Sequence, residues 1–209
     1  MRRENDNQWK ENRDSLSKDW TKYLSNNFHN YIFIPIPNCP NNSIKLANNL
    51  NLDGILLSNG NDWGSCLDRD NTEINLIEWC RNQNKPIFGV CRGFQVLNKY
   101  FGGQIKKNLK IFTNYRHAGG KHKINIVDKK VLGRNIKGDL LVNSFHNEGV
   151  LEEDLAKDLI PFAKVENLIE GFYHNDESII GIQWHPERNN TEKQFDIDLI
   201  KMLFDEKLH

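Results

Sequence analysis

Apolar positions along this chain change period several times, and the changes mark its elements. Between residues 8 and 28, Trp9, Leu16, Trp20, Leu24 and Phe28 fall among charged neighbours at roughly helical intervals. That pattern predicts an amphipathic helix opening near Asp14 or Ser15. YIFIPIPN (31–38) reads as a strand ending at prolines, KLANNL (45–50) as a short helix, and GILLSNG (54–60) as a buried strand running into a glycine loop. TEINLIEWCRNQNK (72–85) predicts a further helix. PIFGV (86–90) has the short apolar character of a buried strand, and one cysteine later the period changes. Phe94, Val96, Leu97, Tyr100 and Phe101 take helical spacing until Gly102 and Gly103 end it. Cys91 is thereby placed on a sharp strand-to-helix turn.

Beyond Gly103 the segments shorten. KHKINIVD (121–128), DLLVNSF (139–145), LIPFAKVE (159–166), LIEGFYHN (168–175) and SIIGIQW (178–184) predict strands joined by turns, and DIDLIKMLFDEKL (196–208) predicts a closing amphipathic helix. The expected class is α/β: a mostly parallel sheet with helices on both faces, and antiparallel hairpins in the C-terminal half. A chain of 209 residues suits one domain over 1–209.

Charge narrows the partners. Lys plus Arg and Asp plus Glu each count 28, a formal net charge of zero, so neither nucleic acid nor an anionic membrane is implied. No run reaches the ~18 apolar residues of a membrane span, and MRRENDNQWK lacks the apolar core of a signal peptide, which makes a cytoplasmic protein the expectation. Cys39, Cys66, Cys80 and Cys91 form no CxxC pair and suggest neither a disulfide framework nor a zinc site.

Cys91 carries the candidate chemistry. At a strand-to-helix elbow its sulfur stands at the carboxyl edge of the sheet, beside the unpaired N–H groups of the next helix, which favour a thiolate and can hold an oxyanion. Gly89 and Gly93 complete G-x-C-x-G, the cysteine counterpart of the G-x-S-x-G nucleophile elbow. An inert cysteine at a tight turn is the plain alternative. GIQWHPE (181–187) supplies His185 and Glu187 beyond an apolar strand; two residues apart in extended structure they share a side, so the carboxylate can fix the imidazole tautomer. Such a histidine is more often structural by itself, and gains meaning from the cysteine elbow.

GVCRGFQ followed by the distant WHPE resembles the class I glutamine amidotransferase family, whose fold is flavodoxin-like and whose triad is Cys, His and Glu. LLSNGND (56–62), FGGQI (101–105) and VNSFHNEG (142–149) extend the resemblance over nearly the whole chain. It implies Cys91 as nucleophile, His185 as base and acid, and Glu187 as orienting group. It implies an oxyanion hole from the backbone N–H groups of Gly60 and Arg92. Gln95 and the backbone around Ser144 and Phe145 would hold the glutamyl end of a substrate, with His146 and Glu148 beside them.

CRGFQ and VNSFH are more similar to the free-standing γ-glutamyl hydrolase (peptidase C26-type) branch than to synthase-linked glutaminases, with Arg92 the main distinguishing residue. NRDSLSKDW (12–20) further resembles a sub-branch of capsule and nucleotide-sugar pathways acting on γ-glutamyl-CDP-amidate; γ-glutamyl-γ-aminobutyrate is the other expected substrate. The resemblance implies a small-molecule γ-glutamyl substrate and neither metal nor organic cofactor. His117 and His122 in RHAGGKH are expected in a solvated loop rather than on a metal. Arg116, His117 and Lys121 would suit an anionic leaving group if that loop lines its side. Asp62 and Trp63 lie just past the oxyanion loop, and Trp184 is expected to pack.

Family members open on a short apolar strand, which MRREND does not supply; the expectation is a true start farther upstream or a sheet with one strand fewer. Two rivals stay open: a glutaminase subunit passing ammonia to a synthase partner, and a non-catalytic flavodoxin-like cysteine-elbow protein.

Overall fold

The computed structural model describes residues 1–111, 118–132, 134–136 and 138–205. In chain order the elements are β1 (Arg2–Asp6), β2 (Glu11–Ser15), α1 (Lys18–Asn27), α2 (Pro40–Asn49), β3 (Ile55–Leu57), α3 (Leu67–Asn82), β4 (Ile87–Val90) and α4 (Arg92–Tyr100). There follow β5 (Lys106–Lys107), β6 (Ala118–Ile126), β7 (Lys130–Val131), β8 (Arg134–Asn135), β9 (Leu140–Phe145), β10 (Glu148–Leu151), β11 (Leu159–Val165), β12 (Leu168–His174), β13 (Ile179–Ile182) and α5 (Lys193–Asp205).

The main sheet runs β3-β4-β13-β12-β11-β6-β9, with β10 joined to β12 and β5. β3, β4 and β13 are parallel, so that Ile55, Ile87 and Ile179 stand in one row and Leu57, Gly89 and Gly181 in another. The remaining ladders are antiparallel. The chain is thus α/β, with a mixed sheet whose parallel part is confined to three strands.

Alternation explains why those strands read as continuously apolar. Ile87 and Ile179 face a cluster with Leu76, Ile77 and Trp79 of α3 and Val96 and Leu97 of α4. Phe88, Val90, Ile180 and Ile182 face the other side, against Trp20 and Tyr23 of α1 and Leu199, Ile200 and Leu203 of α5. A strand covered on both faces has no position left for a polar side chain.

Two expectations at the N-terminus are corrected. The helix predicted to open at Asp14 or Ser15 begins at Lys18, with Ser17 as N-cap accepting the Asp19 N–H through its hydroxyl. Residues 2–15 instead form a hairpin in which Glu4 opposes Arg13 and Asp6 lies 2.9 Å from Arg13. Asp6 also accepts the backbone N–H groups of Gln8 and Trp9, closing the turn and leaving Trp9 66% exposed rather than on a buried face. YIFIPIPN forms no ladder: Tyr31 and Phe33 pack inward while Ile32 is 89% exposed, an extended alternation in which Pro35 and Pro37 lack N–H donors. β3 therefore borders the sheet. No helix among the described residues is long and apolar enough to cross a membrane.

Candidate active site

β4 delivers Cys91 into α4 through a turn that ordinary residues avoid. Cys91 has φ 52° and ψ −102°, and its N–H is held by the carbonyl of Ile182 at 2.8 Å. The strain is permitted by close packing on either side. A Cβ on Gly93 would collide with the Leu57 carbonyl of β3, and one on Gly89 would lie 2.8 Å from the Gly93 backbone. The sulfur is less open than a sheet edge implies: Cys91 is 9% exposed and packs within the apolar cluster of Val90, Ile182 and Trp184.

His185 follows β13, the parallel neighbour of β4, so sheet pairing brings the two residues together across 94 positions of sequence. Its ring is buried, with Nδ1 2.8 Å from Glu187 Oε1. A carboxylate there accepts the Nδ1 proton and leaves Nε2 for the thiol. Burial opposes charging the ring; the charge of Cys91, hydrogen bonding to it, and Glu187 outweigh that, and the pKa rises to about 9. Asn143 in β9 clamps the His185 backbone from both sides: its Oδ1 accepts the His185 N–H at 2.9 Å and its Nδ2 donates to the His185 carbonyl at 2.8 Å.

Asn59 approaches from the opposite loop. Trp20 Nε1, which can only donate, reaches Asn59 Oδ1 at 2.8 Å, turning Asn59 Nδ2 toward His185 Nδ1 at 3.3 Å. The shorter, charge-assisted contact to Glu187 keeps the Nδ1 proton. The backbone N–H groups of Gly60 and Arg92 make no hydrogen bond to other described residues. Arg92 stands in the first turn of α4, where helix geometry leaves donors unpaired.

The glutamyl-end candidates divide. Gln95 uses its amide N–H groups on the Glu148 carbonyl (2.9 Å) and Gln183 Oε1 (3.2 Å), so only its oxygen is left, which suits an ammonium and not a carboxylate. Ser144 is buried in β9, whereas Phe145 is 43% exposed with its ring edge-on to His185 at 5.7 Å between centroids. The guanidinium of Arg188 lies 4.4 Å from the Phe145 ring centre and 3.6 Å from Glu187 Oε1. His146 is buried, with Nδ1 3.0 Å from the Glu148 carbonyl and Nε2 3.8 Å from Glu170. Glu148 itself is pushed above the usual carboxylate range by burial and by Asp62, against the pull of Lys107.

His122 is not solvated as expected: it is buried in β6, 3.3 Å from Glu170. Lys121 donates to the Thr191 hydroxyl at 3.1 Å. Arg116 and His117 lie outside the described residues. Trp63 packs against the α3 side, and Trp184 is fully buried, as its expected packing role requires, and also donates from Nε1 to Asp196 at 2.7 Å.

Sequence reasoning passed over Asn59, Asn143, Gln183 and Arg188. Asn59 and Gln183 lie inside motifs quoted for other residues, whereas the pairing of Asn143 with His185 has no local signal. It passed over Arg69, Asp70 and Glu73 as well. Arg69 and Glu73 share a 2.8 Å ion pair, and Arg92 pairs with both Glu73 and Asp70, all four residues being buried beneath the elbow.

The family described as Peptidase C26 matches residues 1–187. The chain belongs to the Peptidase C26 family. Among its relatives, γ-glutamyl-CDP-amidate hydrolase of Campylobacter jejuni is 31% identical over 188 residues, 86% of this chain and 84% of that one. A glutamine-hydrolyzing GMP synthase subunit of Methanococcus aeolicus is 26% identical over 169 residues, 80% of this chain and 82% of that one. Three other curated relatives are longer, and the chain spans 57–63% of their length. A crystal structure from Thermoplasma acidophilum, described as a candidate GMP synthase subunit, superposes with a TM-score of 0.70 at 22% identity, over 92% of this chain and 88% of that one. This C26 chain accordingly has the fold of the class I glutamine amidotransferases.

Proposed function

We propose that the chain hydrolyses the γ-amide of a small γ-glutamyl compound, with γ-glutamyl-CDP-amidate as the preferred substrate. The observation that carries the reading is the trio of Cys91 on a strained elbow, His185 across the β4/β13 ladder and Glu187 on His185 Nδ1. Cys91, as thiolate, attacks the γ-carbonyl. The oxyanion lies on the N–H groups of Gly60 and Arg92, and His185 gives its proton to the leaving nitrogen as the C–N bond breaks. Water, deprotonated by the same histidine, then opens the γ-glutamyl thioester and releases glutamate. Every proton and bond in the cycle is supplied by these groups and water.

The leaving group is argued from two supports. One is the similarity to the Campylobacter hydrolase over most of both chains. The other is Arg188, a cation stacked on Phe145 at the rim beside His185, which suits phosphate oxygens. Glutamate release is measured with purified protein alone, offering γ-glutamyl-CDP-amidate, γ-glutamyl-γ-aminobutyrate and L-glutamine. The CDP-amidate is expected to turn over fastest, and Cys91→Ala to reduce all turnover to the blank. Wild-type rates in Cys91→Ala would sink the nucleophile assignment.

A second reading, a glutaminase subunit feeding a synthase, is favoured by the similarity to the Methanococcus GMP synthase component. It predicts silence on all three compounds until a synthase partner is added.

A further inference from the structure

Buried charges on α3 join the two segments assigned above to the oxyanion. Arg69, Asp70 and Glu73 occupy positions i, i+1 and i+4 of that helix. Arg69 donates from Nε to Glu73 Oε1 at 2.8 Å and from Nη2 to the carbonyls of Ser58 and Asn59 at 2.8 and 3.1 Å. Glu73 Oε2 and Asp70 Oδ1 accept the two Nη groups of Arg92, and Asp70 Oδ2 accepts the Gly64 N–H at 2.9 Å. Two guanidinium and two carboxylate groups balance in a site closed to water. Burial resists ionisation of Glu73, but Arg92 and Arg69 outweigh it and hold its carboxyl below the usual range.

The consequence lies in one peptide unit. The Asn59 carbonyl and the Gly60 N–H belong to the same planar group and point in opposite directions, so a donor holding the carbonyl aims the N–H. A Cβ on Gly60 would collide with Arg69 Nη1, so the guanidinium fills the space behind the loop and blocks its rotation. The other donor, the N–H of Arg92, belongs to a residue whose side chain is anchored on the same two α3 carboxylates.

We infer that Arg69 is a positioning residue for the oxyanion hole: it aims the Gly60 N–H, and Glu73, Asp70 and Arg92 register that aim against the elbow. The inference rests on the hydrolase reading above. Arginine suits the task because its rigid fork spreads donors from a carboxylate at Nε to two carbonyls at Nη2, a span that the compact ammonium lacks.

The test uses Arg69→Lys, with the charge-balanced Arg69→Met/Glu73→Gln pair in case the first does not fold. Four readouts are taken: kcat and KM for glutamate release, inhibition by glutamate γ-semialdehyde, and the rate of Cys91 alkylation by iodoacetamide. The aldehyde forms a tetrahedral adduct that needs the oxyanion donors, whereas alkylation at a saturated carbon needs only the thiolate. Expected are a kcat lower by about tenfold to a hundredfold with KM little changed, aldehyde binding weakened by a similar factor, and alkylation at the wild-type rate. A wild-type kcat, or alkylation falling together with kcat, overturns the inference, as does failure of both variants to fold. A wild-type chain silent on every γ-glutamyl amide overturns the hydrolase reading and this inference together, and is told apart because no substitution is involved.

Discussion

The charge state of His185 is decided by burial and two neighbours acting in opposite directions. Burial alone would keep the ring neutral; Cys91 and Glu187 reverse that and lift the pKa to about 9. In the proposed cycle a ring protonated through neutral pH donates to the departing nitrogen, so loss of that proton is the expected alkaline limit of activity. Glu187→Gln replaces the carboxylate with a neutral acceptor, so the alkaline limb of kcat/KM should move to lower pH and kcat should fall by roughly tenfold to a hundredfold. A pH–rate profile checks both, and an unmoved limb would show that Glu187 does not hold the charge. The same shift has a sign in stability. A histidine raised from 6.5 to about 9 contributes its full stabilisation below pH 6.5 and loses it as pH climbs through 9. The melting temperature of the wild type should therefore decline over that window, and that of His185→Gln should decline less.

Among the elements, α5 is tied to the site by one buried carboxylate. Asp196 accepts Trp184 Nε1 at 2.7 Å and is paired with Asn190 Nδ2, so the helix holds the segment that carries His185 and Glu187. Burial raises the Asp196 pKa from 3.8 to about 7 against those two hydrogen bonds. A carboxyl raised in the folded state stabilises most below pH 3.8 and loses that contribution as pH rises through 7. Asp196→Asn should flatten the fall in melting temperature between pH 4 and 7 by an amount on the order of a few degrees, read by thermal scans at fixed ionic strength. None of this was legible in DIDLIKMLFDEKL, where amphipathic spacing predicted the helix but not that one of its acids is buried. The difference is general in this chain. Periodicity marked the β4–α4 elbow and β13 because apolar runs there are short and bounded. It misread residues 2–15, whose hairpin is held by cross-strand charges and an aspartate turn, and it began α3 five residues late because Arg69 and Asp70 look like a solvated face. Buried charge that is matched only by tertiary contact leaves no trace in a hydrophobic pattern.

For the whole molecule, a net charge of zero removes long-range steering, so the proposed preference for an anionic leaving group would have to come from cations at the site itself. Under the proposed function Arg188 would supply that cation: it follows Glu187 directly, stacks on Phe145 and stays partly exposed. The proposed contact of Arg188 with the leaving group separates two classes of substrate. For γ-glutamyl-CDP-amidate, Arg188→Ala should raise KM by about tenfold, the loss of one charge-assisted contact. For L-glutamine, whose leaving group is ammonia and which carries no phosphate, KM should remain within about twofold. Raising the salt concentration should weaken wild-type binding of the CDP-amidate and leave the variant nearly insensitive, because the interaction removed is the one that salt screens. Parallel loss on both substrates would instead mean that Arg188 acts through Glu187 and the imidazole, and the assignment of the leaving-group side would have to move to another face of the site.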